Sequence, residues 1–313
     1  MYSIIIVNYN GKHFLSPCVE SIRNNCTGDY EIVIVDNASS DGSVDYINSC
    51  LPDVRLVVSQ VNTGFTGGNN IGASAARGDV LVLLNNDTVV LTDLAPLAES
   101  VKTHGTGVST GKIYYGDMRT QPSIGYEHSP ARIFLSWAGL SKFTRLPSIF
   151  RRLETADSYY EKKHVNVCWV SGALLCTPTD VWKSLGGLDE DFFMYVEDVD
   201  YCRRVRNLGL SINYDPGVKI IHYEGAGKQW IGAAALKRTV RSYLLYTRKH
   251  YPSLYIQMMA IALGWLMIGR SKYYRLRWAS GGKEIFKEKA DGYYGAGDYL
   301  IHHSSKDWSL PKI

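Results

Sequence analysis

The sequence predicts an α/β protein with a mixed, mainly parallel sheet flanked by helices in a doubly wound arrangement. Two observations carry that expectation. Apolar runs rich in Ile and Val recur at 3–7, 31–35, 54–58 and 80–84, each bounded by Gly, Asn or Asp, as expected of strands buried on both faces. Helix-length stretches at 14–25, 43–50 and 69–76 separate them, and strands alternating with helices build βαβ units. A composition of 45% hydrophobic and 20% charged residues excludes global disorder and low-complexity fibre. The length of 313 residues allows one large α/β domain with an appendage.

Beyond residue 105 the pattern changes. Residues 105–165 are rich in Gly, Ser and aromatics without a clean period, so irregular or mixed structure is expected there. A strand-like stretch follows at 165–176, a helix at 179–185 leading into Gly186-Gly187, and a further strand at 218–222. Residues 233–250 carry Arg and Lys on one side and Leu, Tyr and Val on the other, which predicts an amphipathic helix. Residues 254–268 form an almost uncharged apolar run of 15 between Lys249-His250 and the cations Arg270, Lys272, Arg275 and Arg277. As a helix this run spans roughly 22 Å, short of the ~20 residues a bilayer crossing needs. It reads either as a core helix or as one lying in a membrane interface, with cations at lipid phosphates and aromatics at headgroup depth.

Charge divides the chain at the same place. Residues 1–227 hold 19 Lys and Arg against 25 Asp and Glu, a net −6, whereas residues 228–313 hold 15 against 5, a net +10. The expected organisation is therefore an α/β domain over 1–227 and a basic, mainly helical region over 228–313. Such a basic tail suits an anionic partner, either nucleic acid or an anionic membrane surface, unless it is simply a solvated face. Its cations are interleaved with a long apolar run, unlike a surface that tracks phosphates, so no nucleic-acid partner is expected. The six cysteines show no CxxC pair and read as reduced thiols. Neither a basic n-region before residues 3–7 nor a small-residue cleavage site after them is present, which points to the cytoplasm.

Ligands of open α/β sheets bind beyond the carboxyl ends of the strands, which directs attention to Asn8-Tyr9-Asn10, Asp36-Asn37 and Asn85-Asn86-Asp87. Asp36 can accept a hydrogen bond from a base or ribose, and an Asx-turn or helix cap is the structural alternative. The segment Asn62-Thr63-Gly64-Phe65-Thr66-Gly67-Gly68-Asn69-Asn70 reads as a Gly-rich loop entering a helix, suited to close approach of a phosphate-bearing ligand. It is neither a Walker A sequence nor a G-x-G-x-x-G fingerprint, which disfavours a nicotinamide dehydrogenase. Asp87 ends a hydrophobic strand where a hard divalent cation can take one carboxylate plus phosphate oxygens, though a strand-terminating turn would also place it there. Glu197, Asp198 and Asp200 crowd three carboxylates beside aromatics, and crowded acids raise each other's pKa toward that of a general base. Asp200 is expected to pair with Arg204 at i,i+4, leaving the chemistry to Asp198. His222 reads as a metal ligand, a phosphate donor or a core histidine.

Taken together, Ile6-Val7-Asn8-Tyr9-Asn10, Val35 to Gly42, Asn62 to Asn70, Leu84 to Thr88, Glu197 to Arg204 and His222 resemble, in order and spacing, the family 2 glycosyltransferases with the GT-A fold, particularly the rhamnosyltransferase-like branch. The resemblance covers roughly residues 3–225. It implies a GT-A (Rossmann-like) fold and a nucleotide-sugar site in which Val7, Asn8, Tyr9, Asn10, Asp36 and Asn37 hold base and ribose. Asn62, Gly64, Phe65, Asn69, Asn85 and Asn86 would line the sugar and phosphates. Asp87 falls on the last position of the family's D-x-D motif, whose first acid is Asn85 here, so any metal site has fewer charges. His222 matches a histidine that completes that site in relatives, which implies Mg²⁺ or Mn²⁺ as cofactor. Asp198, with Glu197 beside it, falls on the family's E-D motif as catalytic base.

The implied reaction is inverting transfer of a sugar, rhamnose by that branch, from a dTDP- or UDP-linked donor to a glycan or polyprenyl-diphosphate-linked acceptor in bacterial surface polysaccharide synthesis. The implied location is peripheral, at the cytoplasmic face of the inner membrane. A non-catalytic module that binds a nucleotide sugar or polysaccharide on the same fold is the alternative expectation.

Overall fold

A computed structural model of the chain describes residues 1–139, 157–223 and 232–303. The first half runs β1 (Tyr2–Asn8), α1 (Lys12–Asn25), β2 (Tyr30–Asn37), α2 (Ser43–Cys50), β3 (Arg55–Ser59), α3 (Gly64–Ala75) and β4 (Val80–Leu84), the predicted alternation. β5 (Thr88–Val90), α4 (Ala95–Lys102), β6 (Thr106–Tyr114), β7 (Ile124–Gly125) and α5 (Pro130–Ala138) follow. After a 3₁₀ turn at Asp157–Glu161 come β8 (Trp169–Val170), β9 (Leu174–Pro178), α6 (Thr179–Ser184), α7 (Glu197–Asn207) and β10 (Ser211–His222). Three helices close the described chain: α8 (Ala233–His250), α9 (Ser253–Ala279) and α10 (Ile285–His303).

Among the described residues the main sheet has eight strands in the order β3-β2-β1-β4-β9-β6-β10-β5. The first four are parallel, β9 runs antiparallel to its neighbours β4 and β6, β10 is parallel to β6, and β5 is antiparallel to β10. In-register pairing of Asn8 with Asp36 and of Ile5 with Leu83 sends the turns after β1, β2 and β4 to one edge of the sheet. Ile4, Ile6, Ile34, Val82 and Leu84 share a buried cluster with Leu15, Val19 and Ile22 of α1. Each such side chain contributes roughly 1.5–3 kcal/mol by leaving water.

One sequence expectation is sharpened by the structure and another gives way. Residues 105–165, expected to be irregular or mixed, contain a nine-residue strand, β6, whose sequence TGVSTGKIY is buried along eight of nine positions. Val108 and Ile113 are its buried aliphatics, separated by small and polar residues such as Thr110, whose Oγ1 donates to the Leu174 carbonyl at 2.6 Å, so no Ile/Val run announces it. The Gly-rich segment is also helical from Gly64 onward, not a loop leading to a helix at residue 69. Glycine is a poor helix former, but here tertiary packing decides. A Cβ on Gly72 would collide with Ile5 Cγ2 of β1 and lie 3.1 Å from Val35 Cγ2 of β2, so α3 approaches the sheet only as close as a bare glycine face permits.

The chain forms two compact units. Among the described residues, one holds 1–126, 157–193 and 197–223, and the other 127–139, 194–196 and 232–303. In the second unit, Leu236, Val240 and Leu244 of α8, Ile256, Leu263 and Met267 of α9, Ala296 and Leu300 of α10 and Ile133 of α5 make a separate apolar core. The Glu127 carboxylate accepts from the hydroxyls of Tyr246 at 2.7 Å and Tyr251 at 3.2 Å. Gly72→Val should overpack the contact of α3 with β1 and lower stability by about 1–3 kcal/mol, measurable as a drop in the thermal unfolding midpoint.

Candidate active site

The turn after β1 is built around Asn8, whose side chain is fully buried. Its Nδ2 donates to Asp36 Oδ2 at 3.0 Å and to Ser39 Oγ at 3.2 Å, while its Oδ1 accepts from Asn86 Nδ2 at 2.9 Å. Asp36, equally buried, takes a second bond at Oδ1 from the Ser39 amide at 2.9 Å. Its carboxylate therefore clamps the strand-end turns together. Asn10 continues the clamp: its backbone amide donates to Ser39 Oγ and its Oδ1 accepts from the Ser40 amide. Asn10 and Ala38 hold left-handed backbone at φ 51° and 66°, a conformation that non-glycine residues keep where surrounding structure enforces it. Tyr9 is 52% exposed and Asn10 is exposed beside it, so these two face solvent while Val7 lies half-buried beneath Gly68 of α3.

Asn37 organises the next layer. Its Nδ2 donates to Asn62 Oδ1 at 3.1 Å and to the Gly64 carbonyl at 2.9 Å, and its Oδ1 accepts from the Thr63 amide and hydroxyl at 3.0 and 2.9 Å. All four bonding directions of the amide are used, so Asn37 positions the start of α3. Gly64 sits at φ 75° and a Cβ there would collide with the Phe193 carbonyl, which already accepts from the Phe65 amide at 3.0 Å. Only glycine permits that approach. Asn69 is buried with its Nδ2 on the Phe65 carbonyl, leaving Asn62 and the ring of Phe65 half-buried.

At the end of β4, Asp87 Oδ1 lies 3.2 Å from His222 Nε2. Gln121 Oε1 faces Nδ1 at 3.1 Å and Asn85 Nδ2 stands 3.0 Å from Nε2. In the tautomer that donates Nδ1–H to Gln121, the Nε2 lone pair and Asp87 Oδ1 turn toward the same space, a donor pair suited to a cation. Among the described residues no third His, Cys, Asp or Glu joins the pair. One carboxylate and one imidazole fit a divalent cation whose remaining positions go to diphosphate oxygens and water, and the Gln121 bond is the outer support such a ligating histidine needs.

Glu197 and Asp198 open α7 directly after Tyr195 and Val196, two residues held at φ 73° and 71°. Asp198 is half-buried; its Oδ2 accepts from the Gly172 amide and its Oδ1 from the Val199 amide, both at 2.8 Å. Glu197 is 5% exposed, and its Oε2 has no hydrogen-bond partner among the described residues. Desolvation by burial raises the pKa of both, further for Glu197, which also feels the Asp198 charge, while backbone amides hold Asp198 back. Of the two, Asp198 is the carboxyl whose charged form the protein supports, through the Gly172 and Val199 amides. Asp200 instead pairs with Arg204 Nε at 2.7 Å, as the i,i+4 spacing predicts.

The two acidic motifs meet through the turn before β9. The Ala173 carbonyl accepts from the Asn85 amide at 3.2 Å, and the adjoining Gly172 amide donates to Asp198. Thus Asn85, Asn86, Asp87, His222 and Asp198 gather at one end of the sheet with Asn8, Asp36 and Asn37. Sequence reasoning did not identify Ser39 as part of the clamp, nor Gln121, Gly172 and Ala173. Ser39 lay inside a recognised motif, Gln121 lies in the stretch without a clean period, and Gly172 and Ala173 lie in one read only as strand-like; these three are defined by their partners in space.

The pattern of Glycosyl transferase family 2 matches residues 3–170, and the chain belongs to this family. It is 25% identical over 225 residues to the low-salt glycan biosynthesis hexosyltransferase Agl10 of Haloferax volcanii, covering 70% of this chain and 66% of that protein. Over 243 residues it is 24% identical to the rhamnosyltransferase WbbL of Escherichia coli, covering 71% of this chain and 83% of that one. An uncharacterized protein of Sinorhizobium fredii, y4gI, is 24% identical over 242 residues, or 73% of this chain, which spans a quarter of its length. Among solved structures, GalNAc-T7 with UDP, GalNAc and Mn²⁺ superposes with a TM-score of 0.59 at 16% identity, covering 97% of this chain and 56% of that one. The fold is the GT-A fold.

A carboxyl group whose pKa is raised on folding stabilises the fold below its unfolded pKa and loses that contribution as pH climbs through the folded value. For Glu197 the loss begins above its ordinary value near 4.5. Glu197→Gln, which mimics the protonated form, should flatten the decline of stability with pH above that point, as read by urea unfolding across a pH series.

Proposed function

We propose that the protein is an inverting glycosyltransferase that moves a hexose from a nucleoside diphosphate to an acceptor hydroxyl. The observation that carries this reading is the turn at 172–173, which touches Asn85 on one side and Asp198 on the other and so joins a phosphate-facing strand end to a candidate base. Tyr9, Asn10 and the ring of Phe65 offer accessible surface for base and sugar, with Asn62, Asn85 and Asn86 as polar lining, while Asn8, Asp36, Asn37, Gly64 and Asn69 hold that lining in place. Asp198 takes the proton of the acceptor hydroxyl as its oxygen bonds to the anomeric carbon and the bond to the diphosphate breaks on the opposite face. That single displacement inverts the anomeric centre. Burial disfavours the charged form of Glu197, whereas the Gly172 and Val199 amides favour that of Asp198, so Asp198 is assigned the role of base. When bound by Asp87 and His222, Mg²⁺ or Mn²⁺ supplies charge neutralisation to the leaving diphosphate.

The donor we propose is dTDP- or UDP-linked, with rhamnose as the sugar, and the acceptor a glycan or polyprenyl-diphosphate-linked saccharide of surface polysaccharide synthesis. Supporting this are a relative whose name states rhamnosyl transfer, another whose name states hexosyl transfer in glycan biosynthesis, and a structural neighbour solved with UDP and Mn²⁺. The test is thermal stabilisation by a panel of nucleotide sugars with and without Mn²⁺, followed by turnover with the stabilising donor. Asp198→Asn should cut kcat by roughly 10²–10⁴ while keeping the donor-induced stabilisation. An Asp198→Asn protein with wild-type turnover would remove the assignment of the base, and a chain stabilised by no nucleotide sugar would remove the function.

A further inference from the structure

Helix α9 has two unlike faces. Ile256, Met259, Ala260, Leu263 and Met267 are buried, packed in the core that α9 shares with α8 and α10. On the other side, Leu254, Met258, Ile261, Trp265, Lys272 and Leu276 recur at spacings of three, four and seven residues and form one stripe. Leu254 is 69% exposed, Met258 64%, Trp265 61% and Leu276 71%. The stripe is roughly 33 Å long at the helical rise. Its first half is apolar, and exposed Lys272, Arg275 and Arg277 crowd its second half beside Tyr273 and Trp278. A run of large exposed apolar side chains of this length marks an interaction surface.

We infer that this face of α9 docks the protein on an anionic lipid bilayer, lying in the interface rather than crossing it. Charge complementarity selects that partner: residues 228–313 carry a net +10, with no acid between Glu224 and Glu284, and cations beside an apolar stripe meet lipid phosphates while Trp and Tyr sit at headgroup depth. The packing of α10 excludes a crossing, although α9 alone is long and apolar enough for one. A Cβ on Gly264 of α9 would lie 2.9 Å from the Gly297 carbonyl of α10, so the two backbones touch midway along the apolar run. Arg275 Nη2 pairs with Asp291 at 3.3 Å further along. Drawing α9 into hydrocarbon would carry Asp298 and Asp291 with it, a placement that membranes penalise. Lying flat, α9 sinks only its exposed stripe, and the charged side of α10 stays in water.

The surface is independent of the donor and acceptor assigned above, and its test does not use turnover. The full chain is sedimented with vesicles of mixed phosphatidylglycerol and phosphatidylcholine, and with phosphatidylcholine alone. Binding should require the anionic lipid and weaken with salt. Met258→Ser/Trp265→Ser, at exposed positions that leave the melting temperature unchanged, should lower vesicle affinity on the order of tenfold, and Lys272→Gln about fivefold. Equal sedimentation of the double variant and the parent, or no sedimentation of the parent, overturns the inference. So does a parent that is dimeric by light scattering, becomes monomeric on the double substitution and ignores vesicles, for then a second copy covers the stripe.

Discussion

Three turns leave the sheet after β1, β2 and β4, and the amide of Asn8 touches all of them. It donates to Asp36 and Ser39 and accepts from Asn86, and it is itself fully buried. A buried amide of this kind has little freedom, because each unmade bond costs about 1–3 kcal/mol and the Asp36 carboxylate it serves is itself out of solvent. The spacing of the site's polar groups therefore follows from one fully satisfied network. The exposed surface of Tyr9 and Asn10 and the polar surface of Asn85 and Asn86 are carried on turns that cannot drift apart without breaking it.

A second device sits at the start of α7. Adjacent carboxylates in one helical turn would both ionise in water, but here hydrogen bonding distinguishes them: two backbone amides stabilise the charge of Asp198, whereas Glu197 Oε2 has no donor among the described residues. The left-handed pair Tyr195 and Val196 precedes this turn, and a β-branched residue holds such backbone only at a cost of order 1–3 kcal/mol. Strain is thus concentrated where two adjacent acids receive different hydrogen-bond support. On the Asp87 side, the amides of Gln121 and Asn85 hold the His222 ring from its two nitrogens, so both ends of the site are set by neutral amides that orient ionisable groups.

Much of this was legible in the sequence because it is written in local pattern. The Ile/Val runs of β1, β2, β3 and β4 need only the period of a buried strand, and Asp36, Asp87 and Asp198 stand where such runs end or acids crowd. What was not legible has a common cause. β6 is buried, but Thr, Ser and Gly separate its aliphatics Val108 and Ile113, so partners such as the Leu174 carbonyl that Thr110 donates to are visible only in space and the sequence carries no apolar run. The helical state of Gly64 to Gly68 runs against propensity and exists because β1 and Phe193 approach it closely.

By itself the sequence determined the strand and helix periods, the family motifs and the division between an acidic first part and a basic tail, since each is a property of residues near one another in the chain. The tertiary structure alone decided which polar residues face solvent and which are clamps. It turned Asp36 and Asn37 inward, gave Asp198 the Gly172 and Val199 amides, brought Gln121 to His222, and left one face of α9 uncovered. Burial, hydrogen-bond partnership and electrostatic coupling depend on groups distant in sequence, and those distances exist only once the sheet has formed.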